Sequence, residues 1–219
     1  MLGDVQAANV GAVSFISLSS SGGLNMLNRL AMLAVAGLAV VLVGCAHSPQ
    51  QLNVQPKVLV PLNPVASSQP VAVVVQDTRQ SKVLGTRGGL YPNSSNLTIN
   101  DQALMQIKQQ VEQSLRQLGF MVVAEGTPNA NRLTVSLAEL TYQSPTATTY
   151  VTEADIGATF AAEARGMNQQ YKGRYGASAN HRFGYAPNQA TNTRLVTDVM
   201  SDALTRVFKD PEILRVLQQ

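Results

Sequence analysis

Apolar residues recur at every second position in several segments of the chain, and this spacing predicts β-strands. Between residues 132 and 142 the alternating positions are Leu133, Val135 and Leu137. The other strand-like segments, rich in alternating or β-branched residues, are residues 71–76, 120–124, 154–164 and 170–179. Because the last two are separated by a short hairpin turn, we expect a mostly antiparallel sheet.

Two other segments repeat apolar residues every three or four positions, which is the period of a helix packed along one face. In the first segment these residues are Leu104, Ile107, Val111, Leu115 and Leu118. Thr98 or Asn100 would cap its start and Gly119 its end. The second helix covers residues 193–208, and an Asp-Pro pair opens a short helix over residues 210–217. The pattern predicts an α+β fold, a mostly antiparallel sheet with two helices packed on one face.

An apolar stretch from Leu30 to Val43 contains no charged residue. It is shorter than the roughly 20 residues that a helix needs to cross a bilayer, and its length is typical of the apolar core of a secretory signal. Arg29 precedes it, and a start at Met26 would add a second positive charge through the amino group. These features predict a signal peptide that begins at Met26.

The apolar stretch ends in the sequence Leu42-Val43-Gly44-Cys45, which has the form of a lipobox. Signal peptidase would recognise Leu42, Val43 and Gly44, and the thiol of Cys45 would accept a diacylglyceryl group. Two or more acyl chains hold a protein stably on a membrane. We therefore predict that the chain is cut before Cys45 and anchored to a membrane through lipid on it. The alternative is a buried helix that ends in cysteine.

The chain is predicted to divide into four parts. Residues 1–25 carry no basic side chain, and we interpret them as an extension upstream of the true start. The signal peptide is residues 26–44. Residues 45–69, rich in Pro, Gln, Asn and Ser, predict an extended tether, within which residues 57–62 could form a short edge strand. Residues 70–219 would form a single α+β domain in the periplasm.

The composition excludes several classes of site. A formal charge of +3 comes from 16 Lys+Arg and 13 Asp+Glu, and the basic residues are scattered singly, so no nucleic-acid partner is predicted. One cysteine cannot form an internal disulfide, and His47 and His181 are the two histidines. The sequence therefore predicts neither a metal site nor a cofactor.

Three acidic residues are the candidates for catalysis. Glu153, Asp155 and Glu163 lie on one predicted hairpin, where their even spacing would place all three on the same strand face. Paired carboxylates hydrolyse glycosides when they are held a few ångströms apart. A solvated sheet face with basic neighbours, Arg165, Lys172 and Arg174, explains them equally well, and His181 beside a turn is expected to be exposed and structural.

Tyrosines are numerous among the few aromatic residues of the chain. On an exposed strand face they could stack against glycan rings or contact a protein partner. As core or edge residues they would be ordinary. The residues concerned are Tyr142, Tyr150, Tyr171, Tyr175 and Tyr185.

The order of these motifs resembles the YajG family of uncharacterised lipoproteins. The motifs are the lipobox, the helix ending in Leu118-Gly119-Phe120-Met121-Val122, the strand of residues 133–137, the segment Ala154-Asp155-Ile156 and the helix from Thr193. The resemblance implies a lipoprotein that faces the periplasm. It assigns no catalytic or binding residue to this chain. The extra N-terminal residues depart from the family pattern.

These observations favour a non-catalytic binding or accessory module of the cell envelope. Its partners would be the membrane, through lipid on Cys45, and an envelope protein or glycan. Because Ala46 rather than Asp follows the cysteine, we expect the periplasmic leaflet of the outer membrane. The alternative function is an envelope glycan or peptidoglycan hydrolase that uses the acidic residues.

Overall fold

A computed structural model describes residues 48–59, 63–65, 68–87, 94–144, 153–184 and 187–219. The compact unit that contains them runs from Cys45 to Gln219. The predicted signal peptide, the lipobox residues, Tyr150 and Tyr185 lie outside the described residues.

The described residues form eight strands and three helices. The strands are β1 (Gln50–Leu52), β2 (Pro70–Asp77), β3 (Val83–Thr86), β4 (Asn96–Ile99), β5 (Met121–Val123), β6 (Asn131–Gln143), β7 (Glu153–Arg165) and β8 (Gln170–Arg182). The helices are α1 (Ala103–Gln117), α2 (Gln189–Lys209) and α3 (Pro211–Leu217). The predicted α+β class is confirmed. Helices α1 and α2 are the two long helices, and α3 is the short helix that follows α2.

The sheet is mixed and not purely antiparallel, so the predicted antiparallel pairing holds for only part of it. The meander β6–β7–β8 is antiparallel as predicted. On its other edge, however, β6 pairs in parallel with β2 and, at Tyr142, with β3. Strand β5 pairs in parallel with β2, and β1 with β4. Parallel partners are joined by long crossovers, such as the one that contains α1, and a strand pattern does not reveal them.

One face of the sheet is buried and the other is open. Leu133, Val135 and Leu137 of β6 are fully buried. A bulge between Leu137 and Glu139 shifts the parity, so that Leu140 and Tyr142 then point inward. The even positions of β7 are buried on the same side, and the three helices contribute to the same apolar cluster. Among the described residues, no element covers the opposite face.

Helix α1 buries Ile107, Val111 and Leu115 as its period predicts. Gly119 ends it with φ of 95°, a left-handed conformation that glycine adopts without strain, and its N–H donates to the Arg116 carbonyl (3.1 Å). The predicted start was wrong, because the N-cap position is Gln102 and no side chain caps the helix.

The last two helices meet at Asp210. Helix α2 begins after Asn188, whose side chain accepts a hydrogen bond from the Thr191 N–H (2.8 Å). Asp210 caps α3 by accepting from the Glu212 N–H (2.9 Å), and Pro211 occupies the first turn. The predicted Asp-Pro start is confirmed.

The described part of residues 45–69 packs on the domain instead of extending away as a tether. Leu52 and Val54 are fully buried. The Lys57 and Leu59 N–H groups donate to the side chains of Ser201 and Thr205 on α2 (3.0 and 2.9 Å). Regularly spaced small polar residues on α2 thus bind a proline-rich segment whose composition suggested a free spacer. Residues 57–59 are not a strand.

Candidate functional site

A buried polar network ties β1 to the centre of the domain. The Tyr142 hydroxyl donates to Asn192 Oδ1 (3.0 Å), and Asn192 Nδ2 donates to Gln50 Oε1 (2.8 Å). Arg87 lies beside them and donates to the Ser48 carbonyl (3.2 Å). The network joins β1 to β6 and α2, and Arg87, which directly follows β3, lies beside it. It therefore holds the N-terminal strand β1 in a fixed position in the domain.

Burial perturbs the ionisable members of this network. It raises the pKa of Tyr142 to about 12, an effect that the nearby Arg87 guanidinium reduces. It also lowers the pKa of Arg87. Tyr142 therefore stays a neutral hydrogen-bond donor at physiological pH, which suits a structural role.

The network lies close to the predicted lipid attachment in sequence. Strand β1 begins at Gln50, five positions after Cys45. Five residues of fully extended chain span at most about 18 Å. Any lipid on Cys45 would consequently hold this end of the domain near the membrane surface.

The open face of the sheet carries the acidic candidates. Glu153, Asp155 and Glu163 lie on that face of β7, as their spacing predicted, and each stands directly opposite a polar residue of β8. Asn180 Nδ2 donates to both Glu153 Oε1 (2.6 Å) and Asp155 Oδ1 (2.7 Å). The two carboxylates are thus bridged by one amide.

Glu163 does not join the other two acids. It is eight positions along the strand from Asp155, or about 26 Å at the usual strand rise. Its carboxylate contacts Lys172 Nζ (3.1 Å) and an Arg165 nitrogen (3.0 Å), and the bond from Lys172 is the main reason that its pKa lies below the usual value. Glu163 is therefore explained by its basic neighbours on the surface.

His181 lies on the opposite face of the sheet from the acids. It pairs with Ala154 across β7 and β8 and stacks on Phe183, with ring centroids 6.5 Å apart. The structure therefore does not bring it together with Glu153 and Asp155.

The described tyrosines face the core and not the open surface. Tyr142 is buried in the network above. The Tyr171 and Tyr175 hydroxyls both donate to Asp210 Oδ2, at 3.0 and 2.6 Å. Burial, and next the bond to Asp210, raises the pKa of Tyr175. Tyr142 and Tyr175 are therefore buried away from any glycan, whereas Tyr171 is half-buried.

Strand β8 forms one edge of the sheet. It is 13 residues long, pairs with β7 alone among the described strands, and contains Lys172, Arg174 and Arg182 but no acidic residue. Two surface grooves of about 440 and 430 Å³ both reach Arg174. A typical strand has five or six residues, so β8 presents an unusually long row of main-chain groups to solvent.

The described ranges hold no cluster of three or more His, Cys, Asp or Glu side chains able to bind a metal. Nor does any helix in them combine the length and the hydropathy required to cross a membrane.

Residues 56–218 match the model of a family described as uncharacterized lipoprotein. The chain belongs to this lipoprotein family. Its resemblance to the YajG family is thereby confirmed, and the matched segment includes all but the first strand of the domain. The family supplies no catalytic residue, and none of the curated proteins matches the chain in sequence.

Several solved structures are distantly similar. Rare lipoprotein B from Shewanella oneidensis is 9% identical, with 66% of this chain and 96% of that chain covered and a TM-score of 0.44. Protein XCC0632 from Xanthomonas campestris is 12% identical, with 78% and 94% covered and a TM-score of 0.44. A minor lipoprotein from Acinetobacter baumannii is 14% identical, with 71% and 96% covered and a TM-score of 0.41. These likenesses are too distant to transfer a function.

Sequence reasoning missed a buried ion pair where the chain passes from β2 to β3. Arg79 binds Asp77 through Nε and Nη2, each at 2.9 Å, and both side chains are almost completely buried. Lys82 Nζ adds a third contact at 2.6 Å. The bond from Arg79 is the main reason that the pKa of Asp77 lies far below its usual value.

Proposed function

We propose that this lipoprotein is a non-catalytic accessory module of the cell envelope, held at the membrane surface by lipid on Cys45. The observation that carries the proposal is the position of β1, which begins five residues after Cys45 and is locked into the buried network around Asn192. A fold that begins this close to its anchor is confined to a layer near the membrane. It suits a protein that contacts other components of that layer.

The arrangement of the acidic residues supports a non-catalytic role. Glu153 and Asp155 lie at one end of β7 and Glu163 near the other, while His181 lies on the opposite face of the sheet. Acid–base catalysis needs partner groups within hydrogen-bond reach of the same reacting atom. Glu163 and His181 therefore cannot assist the first two acids.

The intact mass of the protein isolated from membranes tests the anchor. A mass equal to residues 45–219 plus acyl groups, lost in a Cys45→Ala variant, is the expected result. A protein that keeps residues before Cys45 and carries no lipid would overturn the proposal.

The outer membrane is proposed as the site because Ala46 follows the lipidated cysteine. Separation of the two membranes by density should place the protein in the outer membrane, and an Ala46→Asp variant should move it to the inner membrane. Wild-type protein in the inner-membrane fraction would contradict this part of the proposal.

A further inference from the structure

The free edge of β8 carries basic side chains but no other device that blocks strand addition. Natural sheets place charges on their edge strands, shorten them, interrupt them with proline or bulges, or cover them, and a basic edge still admits a strand of opposite charge. Strand β8 has 13 residues and no proline, its pairing with β7 runs in unbroken register from Gln170 to Arg182, and no other described strand pairs with it. Its outward main-chain groups can accept another strand.

The charges on β7 and β8 alternate from strand to strand. Glu163 lies directly opposite Lys172, and Glu153 directly opposite Arg182. Arg174 meets Glu139 of β6 from one strand further away (3.2 Å). Since opposite charges in facing positions stabilise a sheet and like charges destabilise it, the strand next to β8 is matched best by acidic residues.

The other side of β8 is apolar and only partly covered. Tyr171, Ala177 and Ala179 pack against the core but remain half-buried. A further strand would cover them with its own alternate side chains, and burial of apolar surface favours such an addition. The edge therefore fits a segment that alternates acidic with apolar residues.

We propose that the edge of β8 binds an extended segment of another envelope protein in which acidic and apolar residues alternate, adding it to the sheet as a ninth strand. The segment's acids face Lys172 and Arg174, which are 66% and 62% exposed. A second copy of this chain is the wrong occupant, because β8 itself contains three basic residues and no acid, so pairing two β8 strands would set like charges beside each other. The proposal rests on the proposed accessory role and names the chemistry of its partner.

The probe is a synthetic peptide of nine residues that alternates glutamate with valine or threonine. Its binding to the mature protein, residues 45–219 in a neutral detergent, is measured by fluorescence anisotropy. A peptide with lysine in place of glutamate should bind at least about tenfold more weakly, since it sets like charges opposite each other. A glutamate peptide in which alternate main-chain nitrogens are methylated, so that those facing β8 carry no hydrogen, should lose binding. It cannot donate the main-chain hydrogen bonds that join a new strand to β8.

Charge reversal on the protein provides the matched control. A Lys172→Glu, Arg174→Glu variant should reverse the preference and bind the lysine peptide more tightly. A Lys108→Glu, Arg194→Glu variant, altered at exposed basic residues of α1 and α2, should behave as wild type. Circular dichroism checks that each variant is folded.

Equal binding of the two peptides, no effect of methylation, or no binding at all would overturn the inference. Self-association of the protein that the peptide displaces would also overturn it, in favour of a second copy at β8. Because the peptide assay does not depend on lipid, its failure is distinguishable from a failure of the Cys45 anchor, which the intact mass reports.

Discussion

The two faces of the sheet hold their charged residues in opposite ways. On the helix-covered side, Asp77 and Arg79 have 7% and 4% of their side chains exposed and are fixed by several hydrogen bonds. On the open side, the Glu139 and Arg174 side chains are both 62% exposed, and one bond joins them. A buried pair is costly to break, whereas an exposed pair contributes little and exchanges partners readily. The charges of the covered face therefore help to maintain the fold, whereas those of the open face contribute little to its stability.

The largest loss of stability is expected for Asp77→Asn, which leaves the buried Arg79 without its anion. We expect the free energy of unfolding in urea to fall by about 3 kcal/mol near neutral pH. Glu163→Gln removes an acid with two basic partners from the open face and should cost less than about 1 kcal/mol. Equal losses in the two variants would contradict the difference between the faces.

The stability lost in the Asp77→Asn variant should also depend on pH. Hydrogen bonds from Arg79 and Lys82 lower the folded-state pKa below the ordinary value of 3.8. The charged carboxylate thus stabilises the folded state above about pH 4, and this contribution is lost as the pH falls through the folded pKa. The gap between wild type and Asp77→Asn should therefore narrow in urea titrations below pH 4.

A smaller loss is expected at the junction of α2 and α3. Asp210→Ala removes the cap of α3 and the acceptor of two tyrosine hydroxyls, which should cost about 2 kcal/mol. Asp202 is exposed on α2, and Asp202→Ala should stay within about 0.5 kcal/mol of wild type. If Asp210→Ala leaves the free energy of unfolding unchanged, the hydrogen bonds from Tyr171 and Tyr175 to this carboxylate do not stabilise the fold.

Two glycines of β8, one on each face of the sheet, allow the two faces to be compared within one strand. A Cβ on Gly173, on the covered face, would lie 2.2 Å from the Tyr175 hydroxyl oxygen, so the tyrosine would have to leave Asp210. A Cβ on Gly176, on the open face, would meet Thr159 Oγ1 at an ordinary 3.6 Å. Gly173→Ala should lower the free energy of unfolding by about 1–2 kcal/mol, and Gly176→Ala should change it by under 0.5 kcal/mol. Thermal or urea unfolding measures both.

The smallest effect is expected for the double variant Glu153→Gln, Asp155→Asn. Its stability should change by less than about 0.5 kcal/mol, because both acids are on the open face and their amide bridge can be replaced by water. The same variant tests the hydrolase alternative. Release of soluble fragments from peptidoglycan by wild type and its loss in the variant would contradict the non-catalytic role.

The elements with long regular patterns could be predicted from the sequence. The alternation at Leu133, Val135 and Leu137 identified β6, and the period from Leu104 to Leu118 identified α1. The same parity placed Glu153 and Asp155 together on one face. Each of these features is set by residues that are close together in the chain, so local spacing reveals it.

The remaining features depend on contacts between distant residues. Strands β1, β3 and β4 have only three or four residues each, too few for a period, and they exist because they pair with partners far along the chain. The Tyr142–Asn192 bond joins residues 50 positions apart, and the Lys57–Ser201 bond joins residues 144 apart. No local pattern could show that the proline-rich segment packs against α2.

Amide hydrogen exchange along β8 tests the central claim most directly, with the protein in membrane preparations compared with the purified protein. Alternate β8 amides point away from β7 and exchange with solvent when the edge is free. These amides are expected to exchange rapidly in the purified protein and to be protected in the membranes, where the proposed partner strand would pair with β8. Equally rapid exchange in both samples would contradict it.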